Sequence, residues 1–445
     1  MGILAYMVAP FFFFLGLGLA VAGFCLELRQ EHRAKPGVLA AMMVIDFSRA
    51  RDRKVLGVFA LCSVGLLFLT ALSSYQAYTY TESIPFCGQA CHTSMEPQYT
   101  TYNKSPHART ECVACHVGPG TEAYVRTKVN GLRQLYHTVK NDVERPIILS
   151  ADNQRPGRVI CEQCHWTQKY SPPLDITRRH FLTDETNTPY NVRLLLNVGG
   201  GDPANGPVKG IHWHMALTNK VEYISPDSSR STIPWIRFTN EKGVVTEYRA
   251  PEFKEDPAKY TIHRMDCIDC HNRPAHQFKS PNDAIDLALS NGQLDPKVPF
   301  IKAKAVEALE APYSTRAEAL NKIDSSLRAD YPDRPDVGTI ISRVQSIYSA
   351  NFFPEMKADW RVHPDQNGHK DANGCFRCHD GLHKTAEGKT ISPNNCTSCH
   401  LILSQGNEEE SLKLNAKGFD FVHIDSEYAK FACAKCHTGT TQKDE

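Results

Sequence analysis

A chain of 445 residues with 50 Lys and Arg against 49 Asp and Glu carries a formal net charge of +1. That length leaves room for two or three domains, and the balanced charge argues against nucleic acid as a partner, which needs a basic face. Sixteen cysteines set the chemistry, and most of them stand in pairs.

The first element is an almost uncharged run over residues 3–26, rich in Phe, Leu, Ala and Gly, about long enough to cross a bilayer core of roughly 30 Å. A second such run covers residues 55–77. A cleaved signal peptide competes for the first run. No basic residues precede its apolar stretch, however, and a second span follows, so a retained membrane helix is expected. Between the runs lie Arg29, Arg33, Lys35, Arg49, Arg51, Arg53 and Lys54 against Glu27, Glu31, Asp46 and Asp52. Basic loops stay in the cytoplasm, which turns both outer ends toward the periplasm of a bacterial inner membrane and puts everything after about residue 80 there.

Past the second run, two cysteines are followed at once by histidine seven times. The segments are Cys87-Gly-Gln-Ala-Cys91-His92, Cys112-Val-Ala-Cys115-His116, Cys161-Glu-Gln-Cys164-His165, Cys267-Ile-Asp-Cys270-His271, Cys375-Phe-Arg-Cys378-His379, Cys396-Thr-Ser-Cys399-His400 and Cys433-Ala-Lys-Cys436-His437. Two cysteines so spaced can each form a thioether to a vinyl group of one porphyrin, while the next residue brings an imidazole onto the iron. Disulfides or zinc would explain an isolated pair. Neither explains the invariable histidine, and no spare cysteine pairs remain to complete four-ligand zinc sites. Cys25 and Cys62, left over in the apolar runs, read as small buried hydrophobes. Seven covalently bound haem c groups are therefore expected, and their propionates would make the assembled protein acidic.

So many haems leave few residues for each, so porphyrin faces are expected to replace a side-chain core. The expected fold is a multihaem cytochrome c: a two-helix membrane anchor, then a haem-packed, mostly irregular and α-helical periplasmic domain with a small β insertion. Residues 1–80 form the anchor and its cytoplasmic loop, 81–280 a tetrahaem domain, 281–365 a helical linker and 366–445 a C-terminal trihaem domain. The insertion lies near 205–250, where residues 236–238 and 244–248 flank a turn at Asn240-Glu-Lys-Gly243. In the linker, Thr315 with Glu318 makes a capping-box pattern, and residues 299–309 show apolar positions at helical spacing.

Nineteen histidines are available for the second face of each iron; seven belong to the motifs and His32 to the cytoplasmic loop. His107, His137, His276, His369, His383 and His423 are the expected distal ligands. One of His212 and His214, which strand alternation would put on one side, is the seventh. His180, His263 and His363 stay open. Paired histidines make a six-coordinate iron that passes electrons without binding substrate. Met95, close behind His92, can compete for the first iron, although a bare methionine is more often packing.

The chain also resembles the NapC/NirT/NrfH membrane-anchored quinol dehydrogenases. The likeness rests on a membrane anchor leading into Cys91-His92-Thr-Ser-Met95-Glu-Pro, then Tyr102-Asn-Lys104-Ser-Pro-His107 and Cys112-Val-Ala-Cys115-His116. It continues through Lys128-Val-Asn-Gly131-Leu-Arg-Gln134-Leu-Tyr136-His137 and Cys161-Glu-Gln-Cys164-His165-Trp166. It covers roughly residues 55–275. Beyond it, the segments around Cys267 and Cys375 look like extended seven-haem relatives of metal-respiring bacteria. The resemblance implies a first haem at the membrane surface beside menaquinol, with Met95 able to ligate it. It also implies a lysine, Lys128 or Lys104, and an acid to hold quinol and take its protons. Gln134 stands where the acid usually does and cannot act as a base, so Glu96 is the substitute.

The expected activity is menaquinol oxidation, with electrons relayed to periplasmic c-type cytochromes or a terminal reductase. A relay subunit of a larger membrane complex, without its own quinol site, is the second reading. An oxyanion reductase is the third; the abundance of histidines argues against the open iron it needs.

Overall fold

The computed structural model describes residues 47–90, 92–148, 155–166, 168–204, 206–391 and 396–423, together with Gly16 and Glu427. The first apolar run (Gly16 apart), Cys25, Cys91 and the seventh motif at Cys433, Cys436 and His437 lie outside the described residues, as do the side chains of His92 and Cys396. The chain divides into two compact units, Met1–Ala90 and Cys91–Glu445.

In the first unit the second apolar run belongs to helix α1, Ala50–Glu82, of 33 residues. At 1.5 Å per residue it is about 50 Å long, more than a hydrocarbon core of roughly 30 Å requires. Phe59, Leu61, Leu67 and Leu69 are exposed at points all round its circumference, as on a helix that faces lipid. Among the described residues it is the one helix long and apolar enough to span a membrane. Cys62 is exposed on it rather than buried, because an isolated apolar helix has no interior. A short helix α2, Ile84–Gln89, follows and carries Cys87; the Ser83 hydroxyl caps it by accepting from Phe86 N at 3.4 Å.

The second unit opens with α3 (His92–Tyr102), α4 (Cys112–His116), α5 (Thr121–Lys140) and α6 (Gly157–Cys161). Two antiparallel sheets follow. Strands β1 (Leu174–Phe181) and β2 (Pro189–Leu196) form a hairpin, to which β7 (His400–Gly406) adds on the β2 side. The other sheet has the order β5-β4-β3-β6 and comprises β3 (Lys220–Ile224), β4 (Trp235–Thr239), β5 (Val245–Arg249) and β6 (Ile262–Arg264). The expected hairpin is β4–β5: Asn240 N donates to Val244 O at 3.1 Å, and Gly243 takes the positive φ of 76° that the turn requires. Strands extend well beyond 205–250. The β1–β2 pair shows no clean alternation because Arg178 and Arg179 interrupt it. Through β2–β7 pairing, the segments 81–280 and 366–445 share one sheet.

Helix α7 (Cys267–Cys270) precedes four helices: α8 (Pro281–Ser290), α9 (Ile301–Glu310), α10 (Arg316–Asp330) and α11 (Val337–Asn351). The Thr315 hydroxyl accepts from Glu318 N, and Glu318 Oε2 accepts from Ser314 N at 2.9 Å, so the capping signal works one residue wide of the expected box. Ile285, Val298, Ile301, Leu309, Ile323, Leu327 and Val344 interlock in a dry core that Phe181 of β1 joins. The expectation that porphyrins stand in for side-chain packing fails here. The stretch between His271 and Cys375 contains no haem motif, and its helices must bury their apolar faces on one another. Ile323, fully buried, makes the point testable. Ile323→Ala is expected to cost about 2–5 kcal/mol, read as a lower unfolding midpoint with haem content unchanged.

Candidate haem sites

Among the described residues the motifs sit on short helical turns that other elements tie together. Asp266 is the hinge of one such joint: Oδ1 accepts from Arg158 N at 3.0 Å and Oδ2 from Gly157 N at 2.6 Å, while the same residue caps α7 reciprocally with Asp269. The third and fourth motifs are thereby held side by side, with the Cys161 and Cys267 thiols in hydrogen-bond contact. Gly157 permits the approach, since an added Cβ would lie 2.9 Å from Asp266 Oδ1 and 3.0 Å from Cys267 Cβ.

A second joint links the fourth and fifth motifs. Arg377, between the cysteines of the fifth, donates from Nη2 to the carbonyl of Asp269, between those of the fourth. Its Nη1 donates to Arg230 O at 2.7 Å, and Arg230 Nη1 pairs with Asp269 Oδ1 at 2.6 Å. The Tyr223 hydroxyl donates to the same carboxylate; burial, then the negative charge of Asp269, push its pKa far up.

Across these joints, histidine rings face one another in pairs. His165 faces His107 at 6.1 Å between ring centres, His116 faces His276 at 6.2 Å and His271 faces His212 at 6.2 Å. His379 faces His214 at 6.0 Å and His400 faces His369 at 6.3 Å. Each pair joins one motif histidine to one outside the motifs. An iron bound to two imidazole nitrogens at about 2 Å each puts the ring centres about 6 Å apart, so the residues present fit a haem iron. The outer nitrogens are engaged in three cases. His107 Nδ1 meets Pro274 O at 3.1 Å, His276 Nδ1 meets Gln98 O at 2.9 Å and His214 Nδ1 meets Ile211 O at 2.7 Å. That fixes which nitrogen turns inward. Burial lowers the pKa of His116, His214, His369 and His400, and takes His276 down to about 4. These five rings are therefore neutral, the form that binds metal.

Sequence reasoning is corrected at three of these histidines. His212 and His214 lie on a 3-10 helix, Ile211–Met215, not on a strand. At three residues per turn, positions i and i+2 point about 120° apart, so the two rings face different motif histidines instead of competing for one. His383, expected as a distal ligand, is 2% exposed and has both nitrogens engaged, Nδ1 with Asp380 at 2.9 Å and Nε2 with Ile233 O at 2.7 Å.

His137 pairs with Asp142 at 2.9 Å, and the His423 ring lies 6.3 Å from Phe421; neither is seen opposite a motif histidine among the described residues. Of the histidines left open, His263 stacks near Tyr223, and His180 joins Asp283 and Asp286, where Lys302 and Lys370 supply the countercharge. His363 accepts from Arg273 Nη2 at 3.1 Å and lies against Phe278; burial, then the Arg273 charge, bring its pKa to about 4. Met95 is half-buried on α3.

The four residues expected around quinol fall in three places. Lys128 and Gln134 lie on α5, with the Lys128 ammonium 5.2 Å from the Tyr124 ring centre. Glu96 is held by Arg316 at 2.5 Å. Lys104, its pKa lowered by burial, lines a cavity of about 610 Å³ with His107, His271, Arg273, Lys279 and Arg343. Arg273, which sequence reasoning passed over, and His363, which it left open, each keep a buried nitrogen without a partner, Nε and Nε2 respectively. The only sequence signal for Arg273 is its position, two residues after the motif histidine His271.

Paired cysteines on adjoining turns, with five motif histidines each facing a second one among the described residues, define a multihaem c-type cytochrome. Residues 49–156 match the N-terminal region of the NapC/NirT cytochrome c family. The chain is 37% identical over 456 residues to the cytochrome c-type protein ImcH of Geobacter sulfurreducens, covering 99% of its own length and 89% of that relative. The chain thus belongs to this family of membrane-associated electron-transfer cytochromes with covalently bound haem c. No solved structure matches it.

Proposed function

We propose that the protein carries seven haems, oxidises menaquinol at the periplasmic face of the inner membrane and passes the electrons to periplasmic c-type cytochromes or a terminal reductase. The observation that carries this reading is the set of five opposed histidine pairs at 6.0–6.3 Å. Bound haem supplies the one-electron chemistry. Two imidazoles at each of these five sites leave no open position there, which suits relay and not oxyanion reduction. Residues 3–26 supply a second membrane pass, and Met95 or His92 completes the first site.

The joints give the relay an order. Cys115 lies within electrostatic reach of Cys161 and Cys164, Cys161 touches Cys267, and Arg377 clasps Asp269. The His369 ring stacks on Phe376 at 4.5 Å while facing His400. The second to sixth motifs therefore follow one another in space as in sequence. Arg273 Nε and His363 Nε2–H, buried donors without acceptors, fit a haem propionate, which would satisfy both.

Lys128 is assigned to hold the quinol oxygen. Gln134 in the acid's place favours a second reading in which a partner subunit feeds electrons to this chain. Mixing the oxidised, detergent-solubilised protein with a reduced menaquinol analogue separates the two. The dehydrogenase reading expects rapid growth of the ferrous α band, slowed at least about tenfold in Lys128→Ala, a loss of roughly 1.4 kcal/mol or more from the transition state. Reduction by dithionite alone would leave the relay reading.

A further inference from the structure

Helix α5 carries a face that nothing among the described residues covers. Val125, Val129, Leu132, Tyr136 and Val139 recur at spacings of four and three along it and are 55, 60, 51, 55 and 78% exposed. Such spacing lines them up as one stripe on a helix that is otherwise polar outward. Arg126, Lys128, Arg133 and Lys140 flank the stripe, and Glu122 is the one acid on the helix. The Lys140 ammonium lies 4.5 Å from the Tyr136 ring centre, a cation beside an aromatic at the edge of the apolar strip.

We infer that α5 lies along an anionic bilayer surface, its stripe dipped among the acyl chains and its cations at the phosphates. An apolar stripe, a cationic border and an aromatic at the boundary are the features of an interfacial helix, whose apolar face enters the headgroup region by about 5–10 Å. A second copy of α5 is the rival occupant, since the spacing is also that of a coiled-coil seam. Its charges oppose that. Parallel copies would set Arg133 against Lys128, and antiparallel copies would set Arg126, Arg133 and Lys140 against one another. The lipid surface offers the opposite charge, and the chain already reaches it through α1. This arrangement deepens the quinol reading, on which its link to function rests, by holding Lys128 at the depth where a quinol headgroup leaves the bilayer.

The test uses full-length, haem-loaded protein in nanodiscs of mixed phosphatidylcholine and phosphatidylglycerol. The photoreactive amino acid p-benzoylphenylalanine replaces Leu132, Tyr136 or Asn130, one at a time. Tyr136 is a near-isosteric site in case position 132 disturbs haem loading; Asn130 is exposed on the opposite side of the helix. Phospholipid adducts at 132 and 136, lost at 130, are expected. Cross-links to a second copy, or haem-loaded protein with no lipid adduct at 132 and 136, would overturn the assignment. Menaquinol reduction measured on the same samples keeps the two ideas apart. Lipid adducts without quinol reduction would leave the docking and remove the quinol reading, and quinol reduction without adducts would do the reverse.

Discussion

Replacing His276 with alanine is expected to convert one haem from low-spin to high-spin and leave the others unchanged. The His276 ring stands 6.2 Å from that of His116, is kept neutral by burial and is oriented by Gln98 O at 2.9 Å. Without it the iron beside His116 keeps one protein ligand and gains an open position, which added imidazole should fill and restore. His363→Ala is the control. His363 is more deeply buried, at 2% exposed, and also neutral, but faces no motif histidine among the described residues, so its loss should leave every spin state alone. Electron paramagnetic resonance of the oxidised proteins reads both. A high-spin signal in His363→Ala and none in His276→Ala would reverse the assignment.

Removing Arg230 is expected to have the largest effect on stability. Arg230 and Asp269 form a nearly buried ion pair at 2.6 Å, their side chains 12% and 2% exposed. Arg230→Ala strands that carboxylate, with only the Tyr223 hydroxyl and the Asp266 amide left to it. Stranding one member of a buried pair costs about 3–5 kcal/mol. Because the same Asp269 lies between the cysteines of the fourth motif and its carbonyl accepts from Arg377, the loss should loosen the joint between the fourth and fifth motifs. Thermal unfolding followed in the far ultraviolet should show a large drop in midpoint, whereas Arg193→Ala, which breaks an exposed pair with Asp175, should show little change.

The haem-binding turns were legible because thioether attachment is local: cysteines and histidine must lie within one turn of chain. Local signals also marked α1, the β4–β5 hairpin and the capped start of α10. The histidines that face the motif histidines were only half legible. Candidates such as His107 and His276 could be named, but their pairing could not. His107 precedes the second motif yet faces the third motif's His165, and His276 follows the fourth yet faces the second motif's His116. No period in the sequence encodes such crossings, which the packing of turns on turns decides. His383 misled because a histidine soon after a motif looks like a ligand until its neighbours Asp380 and Ile233 take both nitrogens. The helical core was underestimated because an average of residues per haem hides one long stretch with no haem. The β1–β2–β7 sheet was missed because its third strand arrives from the far end of the chain.

The central claim, that facing histidines clasp the haem irons, is tested most directly by electron paramagnetic resonance of the oxidised, haem-loaded wild-type protein, with signals integrated against haem content per chain. The five pairs seen here require at least five low-spin, bis-histidine irons in each chain. Fewer than five, with high-spin iron making up the difference, would contradict the account and return the protein to the class of cytochromes that bind substrate at haem.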